Sequence, residues 1–176
     1  QYHFVPAMLE DHGREKVKGH GFSCHACVLR PHSKGTVRLG GSSASDAPVI
    51  DPNFLDDDRD IAVLRKGVRQ MQRIMEAPPL TDFEPTNRHP VDMSNDHALD
   101  ELIRSRADTV YHPVGTCRMG ADSDAVVDNR LKFRGIEGLY IADASIMPEI
   151  ISGNTNAPSI MIGERAAEFI AADLAK

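Results

Sequence analysis

The spacing of hydrophobic and polar positions changes several times along the chain, and each change marks an element. Residues 1–9 alternate loosely and predict a strand, with Pro6 marking an edge or an end. Residues 21–29 alternate more strictly. Phe22, Cys24, Ala26 and Val28 share one face, and Ser23, His25, Cys27 and Leu29 share the other. A charged connection, 10–18, joins these two strands. A turn at 31–35 leads to a third strand at 36–39, and so short a connection predicts that the second and third strands pair antiparallel. Residues 40–47 read as a small-residue loop and 48–54 as irregular chain.

The period then becomes helical. Ile61, Leu64, Val68, Met71 and Met75 recur at offsets of three and four, one apolar stripe behind a cap at Asp57 or Asp58 and ahead of the stop at Pro78-Pro79. Residues 81–92 form a proline-containing loop. Ser94 is placed to cap a shorter helix ending at Arg106, with Ala98, Leu99, Leu102 and Ile103 inward. Composition shifts after Asp108. Residues 111–119 are extended, 126–133 contain a turn at Asp128-Asn129, and 135–138 form another turn. Residues 139–142 are a short apolar run, the pattern of a strand covered on both faces. It ends at Asp143, and a loop then leads to a last helix, 158–174, with Ile162, Ala166, Phe169 and Ile170 inward. The fold class is α+β. Residues 1–107 are expected to form an antiparallel sheet backed by helices, and residues 108–176 a segment of different character.

Composition narrows the functional classes. A hydrophobic content of 41% and a charged content of 26% are those of a soluble globular protein. A net charge of -6 argues against a nucleic-acid surface, which needs a basic patch. No apolar run approaches the roughly 20 residues that span a bilayer. The chain opens within a predicted strand and without a Met, so a processed or truncated chain is expected. Cys24, Cys27 and Cys117 make no disulfide framework, and Cys24 and Cys27 on opposite faces of a strand cannot share one metal. Unpaired thiols fit a reducing cytoplasm.

Candidate chemistry collects in two stretches, YHPVGTCRMG at 111–120 and SGNTNAPSIMIGE at 152–164. Pro113 holds His112 extended, so its imidazole points in a defined direction, and a histidine can take or share a proton under cell conditions. The last helix starts with good cap residues, Asn154, Thr155 and Asn156, and Pro158 suits its first position. Such an end attracts negative charge. Ligands of open α/β sheets sit beyond strand ends, so Asp143 and the helix start can share one. An ordinary structural histidine and an ordinary capped helix remain open at this point.

The two stretches, together with VVDNRLKFRGIEGLYIADASIMP (126–148), resemble the closing segments of the glucose–methanol–choline (GMC) flavoprotein oxidoreductases, in particular the choline and alcohol dehydrogenases among them. HFVPAMLEDHG (3–13), GHGFSCHACVLRPHSKGTVRL (19–39) and IDPNFL (50–55) follow the same order, so the resemblance covers nearly the whole chain. It implies a substrate-binding domain at 1–107 and a returning segment at 108–176 that completes an FAD-binding α/β domain and carries active-site residues. It implies oxidation of a primary alcohol, choline or an aliphatic one, by hydride transfer to the flavin N5 of FAD. His112 matches the active-site histidine that meets the substrate hydroxyl, and Asn156 matches the second member of that pair, His in some relatives and Asn in others. Asp143 and Ala144 match the segment beside the flavin's ribityl and pyrophosphate portion. Asn156, Ala157 and Pro158 match the turn near its N1 and O2. His3 falls near a substrate-site histidine of some members.

One departure matters. The family's G-x-G-x-x-G fingerprint is absent, since Gly19-His20-Gly21 runs into Cys24 where the third glycine belongs. The N-terminal FAD-binding part is therefore expected to be a missing partner, and this chain alone is expected to bind FAD weakly or not at all and to be inactive. Membrane association is then left to the full-length protein. A freestanding, non-catalytic remnant of the substrate domain with a structural or interaction role is the alternative, and a His/Cys metal protein is a third reading.

Overall fold

A computed structural model of the chain describes residues 1–10 and 17–175. The fold is α+β, with small antiparallel sheets and helices. It divides into two compact units. The first comprises residues 1–28 and 54–108, and the second comprises residues 29–53 and 109–176. Residues 29–53, expected with the sheet and helices of 1–107, thus belong to the second unit. The expected charged connection at 10–18 lies mostly outside the described residues.

In the first unit β1 (Tyr2–Val5) pairs antiparallel with β2 (Ser23–Ala26), Tyr2 opposite Ala26 and Val5 opposite Ser23. The predicted pairing of the second strand with the third does not form. β2 takes β1, while β3 (Thr36–Arg38) takes β4 (Val49–Asp51), a strand read from sequence as irregular. The division between units falls at Val28, so the turn at 31–35 joins two sheets instead of closing one hairpin. β3 finds its partner locally, across a loop closed by Asp46 N–H to Ser43 O at 3.1 Å and Ser43 N–H to Asp46 Oδ2 at 3.0 Å. Gly40 is needed there, because a Cβ would lie 2.0 Å from Ala47 O.

α1 (Asp58–Met75) is capped by Asp57, which accepts from Arg59 N at 2.9 Å. The helix lies against one face of the β1–β2 sheet at Gly67, where Tyr2 Oη donates to Gly67 O at 3.3 Å and a Cβ on Gly67 would lie 3.3 Å from Ala26 Cβ, while Ile61, Leu64 and Val68 of its stripe pack with Leu55 and Ile103. Cys24 lies on that face opposite Phe4, while Cys27 sits beside His3 on the other, as the alternation requires. Pro78-Pro79 does more than stop α1. Prolines suit a first turn, and the short α2 (Pro78–Thr81) begins on them. α3 (Asp96–Arg106) is capped by Asn95, which accepts from Ala98 N at 3.2 Å. Ser94 is not the cap, since its hydroxyl is turned to Asp92 Oδ1 at 2.7 Å. Leu55, Ile61, Leu99 and Ile103 are the buried apolar residues among the described residues of this unit.

The second unit is built around α4 (Asn156–Leu174), which starts two residues before the expected Pro158. Ile162 and Ala166 pack with Val127, Leu131, Ile146 and Met147 in one core. Residues 139–142 do not form the strand covered on both faces that their apolarity predicts. Tyr140 makes a single bridge to Lys132, and Leu139 is 41% exposed. The chain here is a set of short bridged segments, Met119 with Val127, Val127 with Phe133, and Lys132 with Tyr140. Asp128 holds the expected turn by accepting from Arg130 N at 2.8 Å and Lys132 N at 3.0 Å. No helix among the described residues is long and apolar enough to cross a membrane.

Candidate active site

Three segments of the second unit are joined by hydrogen bonds, and His112 lies on the first of them. The first is 111–119. Tyr111 has φ +65°, a left-handed value that a bulky residue adopts only when its surroundings impose it, and its N–H is held by Thr109 Oγ1 at 2.9 Å. Gly115, at φ +90°, turns the chain once more. The second segment follows Asp143. Its carboxylate accepts from Ser145 N at 2.7 Å and caps a one-turn 3₁₀ helix, Ala144–Ile146. The two segments are stitched together by Cys117 N–H to Ser145 O at 3.0 Å and Met119 N–H to Ile146 O at 2.8 Å. Ile146 is fully buried beneath that seam.

The third segment is the loop into α4. Ser152 also has a left-handed φ, +68°, and its hydroxyl accepts from Arg30. Thr155 follows as the N-cap residue, only 7% exposed. Its hydroxyl lies 2.9 Å from His112 Nδ1, and its backbone N–H lies 3.5 Å from the same nitrogen. Residues 43 positions apart in sequence thereby fix one imidazole ring.

That contact leaves the start of α4 without a side-chain cap. The N–H groups of Asn156 and Ala157 have no intrahelical partner by helix geometry. Pro158, at the third helical position, removes an N–H that would also lack one. The first turn carries no acidic side chain to neutralise the dipole. The donor set is thus two backbone N–H groups at the positive end of a 19-residue helix, with a half-buried histidine held against its N-cap residue. Such a set suits an anion, or a group that becomes one during reaction.

Among the residues singled out from sequence, His112, Asn156, Ala157 and Pro158 therefore lie at one helix start. Asp143 and Ala144 lie on the segment hydrogen-bonded to residues 117–119, with the Asp143 carboxylate engaged in its own turn. His3 belongs to the first unit, on β1 opposite His25, with Nε2 3.7 Å from Cys27 Sγ. Sequence reading treated Thr155 as one cap residue among three. Nothing in the local sequence of a Thr between two Asn announces a bond to a distant histidine.

Comparison with known proteins gives this geometry a context. The family model for GMC oxidoreductase matches residues 31–163. An alcohol dehydrogenase [acceptor] of Pseudomonas putida is 45% identical over 171 residues, which is 97% of this chain and 31% of that protein. An oxygen-dependent choline dehydrogenase of Escherichia coli O127:H6 is 42% identical over the same span, again covering 31% of the relative. The chain thus spans less than a third of the length of these relatives. Among solved structures, a formate oxidase of Aspergillus oryzae superposes with a TM-score of 0.78 at 30% identity, over 83% of this chain and 26% of that one. The pyridoxine 4-oxidase of Mesorbium loti gives 0.70 at 32% identity, over 80% and 28%. A family model that covers most of the residues, together with these identities along almost the whole length, establishes that the chain belongs to the GMC oxidoreductase family.

Proposed function

We propose that the protein carrying this chain is an FAD-dependent dehydrogenase that oxidises a primary alcohol, choline or an aliphatic one, to the aldehyde. The observation that carries this reading is the juxtaposition of His112 with the uncapped start of α4 in a chain of this family. The relatives named for alcohol and choline support the substrate class. FAD suits the donor set at the helix start, where Asn156, Ala157 and Pro158 would lie against the isoalloxazine. The chemistry that FAD supplies when bound is acceptance of the hydride from the alcohol carbon.

The chain's own residues do the rest. His112 takes the hydroxyl proton at Nε2, the ring nitrogen not engaged by Thr155. Asn156 cannot take a proton, but its amide can donate to the substrate oxygen and hold it in place. The helix start stabilises negative charge that develops beside it. The second unit is proposed to complete an FAD-binding domain whose G-x-G-x-x-G portion lies outside these 176 residues. The first turns of α4 agree with this, with Ile160 60% and Met161 54% exposed.

The test is His112→Ala in the full-length flavoprotein. The variant is expected to keep its FAD and to lose kcat by on the order of 10²-fold or more, the scale of proton handling. Asn156→Ala is expected to lose less. Loss of FAD with normal turnover in the remaining holoenzyme would overturn the role given to His112.

A further inference from the structure

We propose that Thr155 is a positioning residue for this oxidation, acting through His112 and not on the substrate. The inference rests on the function proposed above. A threonine at an N-cap ordinarily turns its hydroxyl to the N–H groups of its own helix, and that bond stabilises the helix by about 1 kcal/mol. Thr155 forgoes it. Its side chain makes no cap bond, and its hydroxyl lies 2.9 Å from His112 Nδ1. Ser159 supports the first turn instead, with both N–H and Oγ on Thr155 O, at 3.0 and 2.7 Å. The backbone of Thr155 is helical, at φ -90° and ψ -2°, where an N-cap is usually extended. The helix start is therefore arranged around the histidine and not around its own capping.

The hydroxyl has a property that the backbone lacks. The Thr155 N–H, 3.5 Å from Nδ1, can only donate. The hydroxyl can accept from Nδ1–H, which leaves Nε2 its lone pair to take the proton of the alcohol, and the same bond holds once both ring nitrogens are protonated. Of the two Thr155 groups against Nδ1, only Oγ1 can serve the doubly protonated ring. It also fixes the ring's rotation, so that Nε2 is the nitrogen presented to a substrate oxygen. Thr155→Val keeps the shape and the backbone N–H but leaves Nδ1–H facing another N–H.

The experiment compares Thr155→Val, Thr155→Ser and His112→Ala in the full-length flavoprotein. It reads the rate of flavin reduction by alcohol, KM, FAD content, and the ¹⁵N signal of His112, assigned by its absence from His112→Ala. Thr155→Val is expected to slow flavin reduction by about tenfold to a hundredfold, the scale of a buried group left unpaired. KM and FAD content should stay near wild type, the Nδ1 signal should move, and Thr155→Ser should restore both rate and signal. A wild-type rate in Thr155→Val overturns the proposal. So does a serine variant as slow as the valine variant with its Nδ1 signal unmoved, because the effect is then structural. If Thr155→Val fails to fold, the wild-type signal decides: an Nδ1 without a hydrogen-bond partner overturns the proposal. A fully active His112→Ala would overturn the role of His112 and with it the positioning role of Thr155, whereas a wild-type flavoprotein whose flavin no primary alcohol reduces, with the Nδ1 contact intact in the ¹⁵N signal, would overturn the oxidation reading alone.

Discussion

Ile146 sits in the core of the second unit, and Ile146→Ala measures how far that unit depends on it. Its side chain is fully buried, in a core with Val127, Met147, Ile162 and Ala166. Its carbonyl accepts from Met119 N at 2.8 Å, in the seam that continues the chain from His112. The substitution removes three carbons, and at about 0.8 kcal/mol each the transfer loss is about 2.4 kcal/mol. The residual cavity adds to this, because the seam on one side and α4 on the other limit collapse, so a total of about 3 to 4 kcal/mol is expected. Urea unfolding of the 176-residue chain, followed by far-UV circular dichroism because there is no Trp, should show the midpoint falling by on the order of 1 to 2 M with its slope unchanged. Ile160→Ala is the control. It lies on the same helix but is 60% exposed, and should change stability by no more than about 0.5 kcal/mol. Equal shifts for the two variants would refute the placement of the core beneath the seam.

Two further outcomes follow from the charge networks. Glu10 accepts from Arg106 at 2.6 Å and pairs with His89 at 3.1 Å, and these bonds hold its carboxyl down to about 2 from an ordinary 4.5. A lowered carboxylate stabilises the fold above the ordinary value and loses that contribution as pH falls toward the folded one, so Glu10→Gln should lower Tm at neutral pH and the gap from wild type should close between about pH 4.5 and 2. Asp173 accepts from Tyr140 Oη at 2.6 Å and pairs with Lys132 Nζ at 2.7 Å, and the hydrogen bond to Asp173 raises the Tyr140 phenol above its usual range. Asp173→Asn should bring that phenol back down, read by ultraviolet titration against Tyr140→Phe; an unchanged titration would refute the tether.

Local rules fixed much of the helical fold. The α1 stripe, the cap at Asp57, the turn at Asp128 and the inward face of α4 follow from side-chain period and from which side chains can satisfy free N–H groups. Such interactions reach only a few residues along the chain, so a window of sequence contains both partners. Strand partnership is different. Whether 23–26 pairs with 2–5 or with 36–38 depends on which segment is nearby after folding, and the change of unit at Val28 decided it. The apolar run at 139–142 misled for the same reason, since apolarity alone does not supply a covering layer for Leu139.

The candidate site divides along the same line. Residue types and the family's motifs singled out His112, Asn156 and the start of α4 within the sequence. Only tertiary structure joined His112 to Thr155, because a side-chain bond across 43 positions leaves no period, spacing or composition to read. The sequence determined which groups were available for chemistry. The packing of Ile146 beneath two hydrogen-bonded segments, with left-handed turns at Tyr111 and Ser152, decided which of them meet.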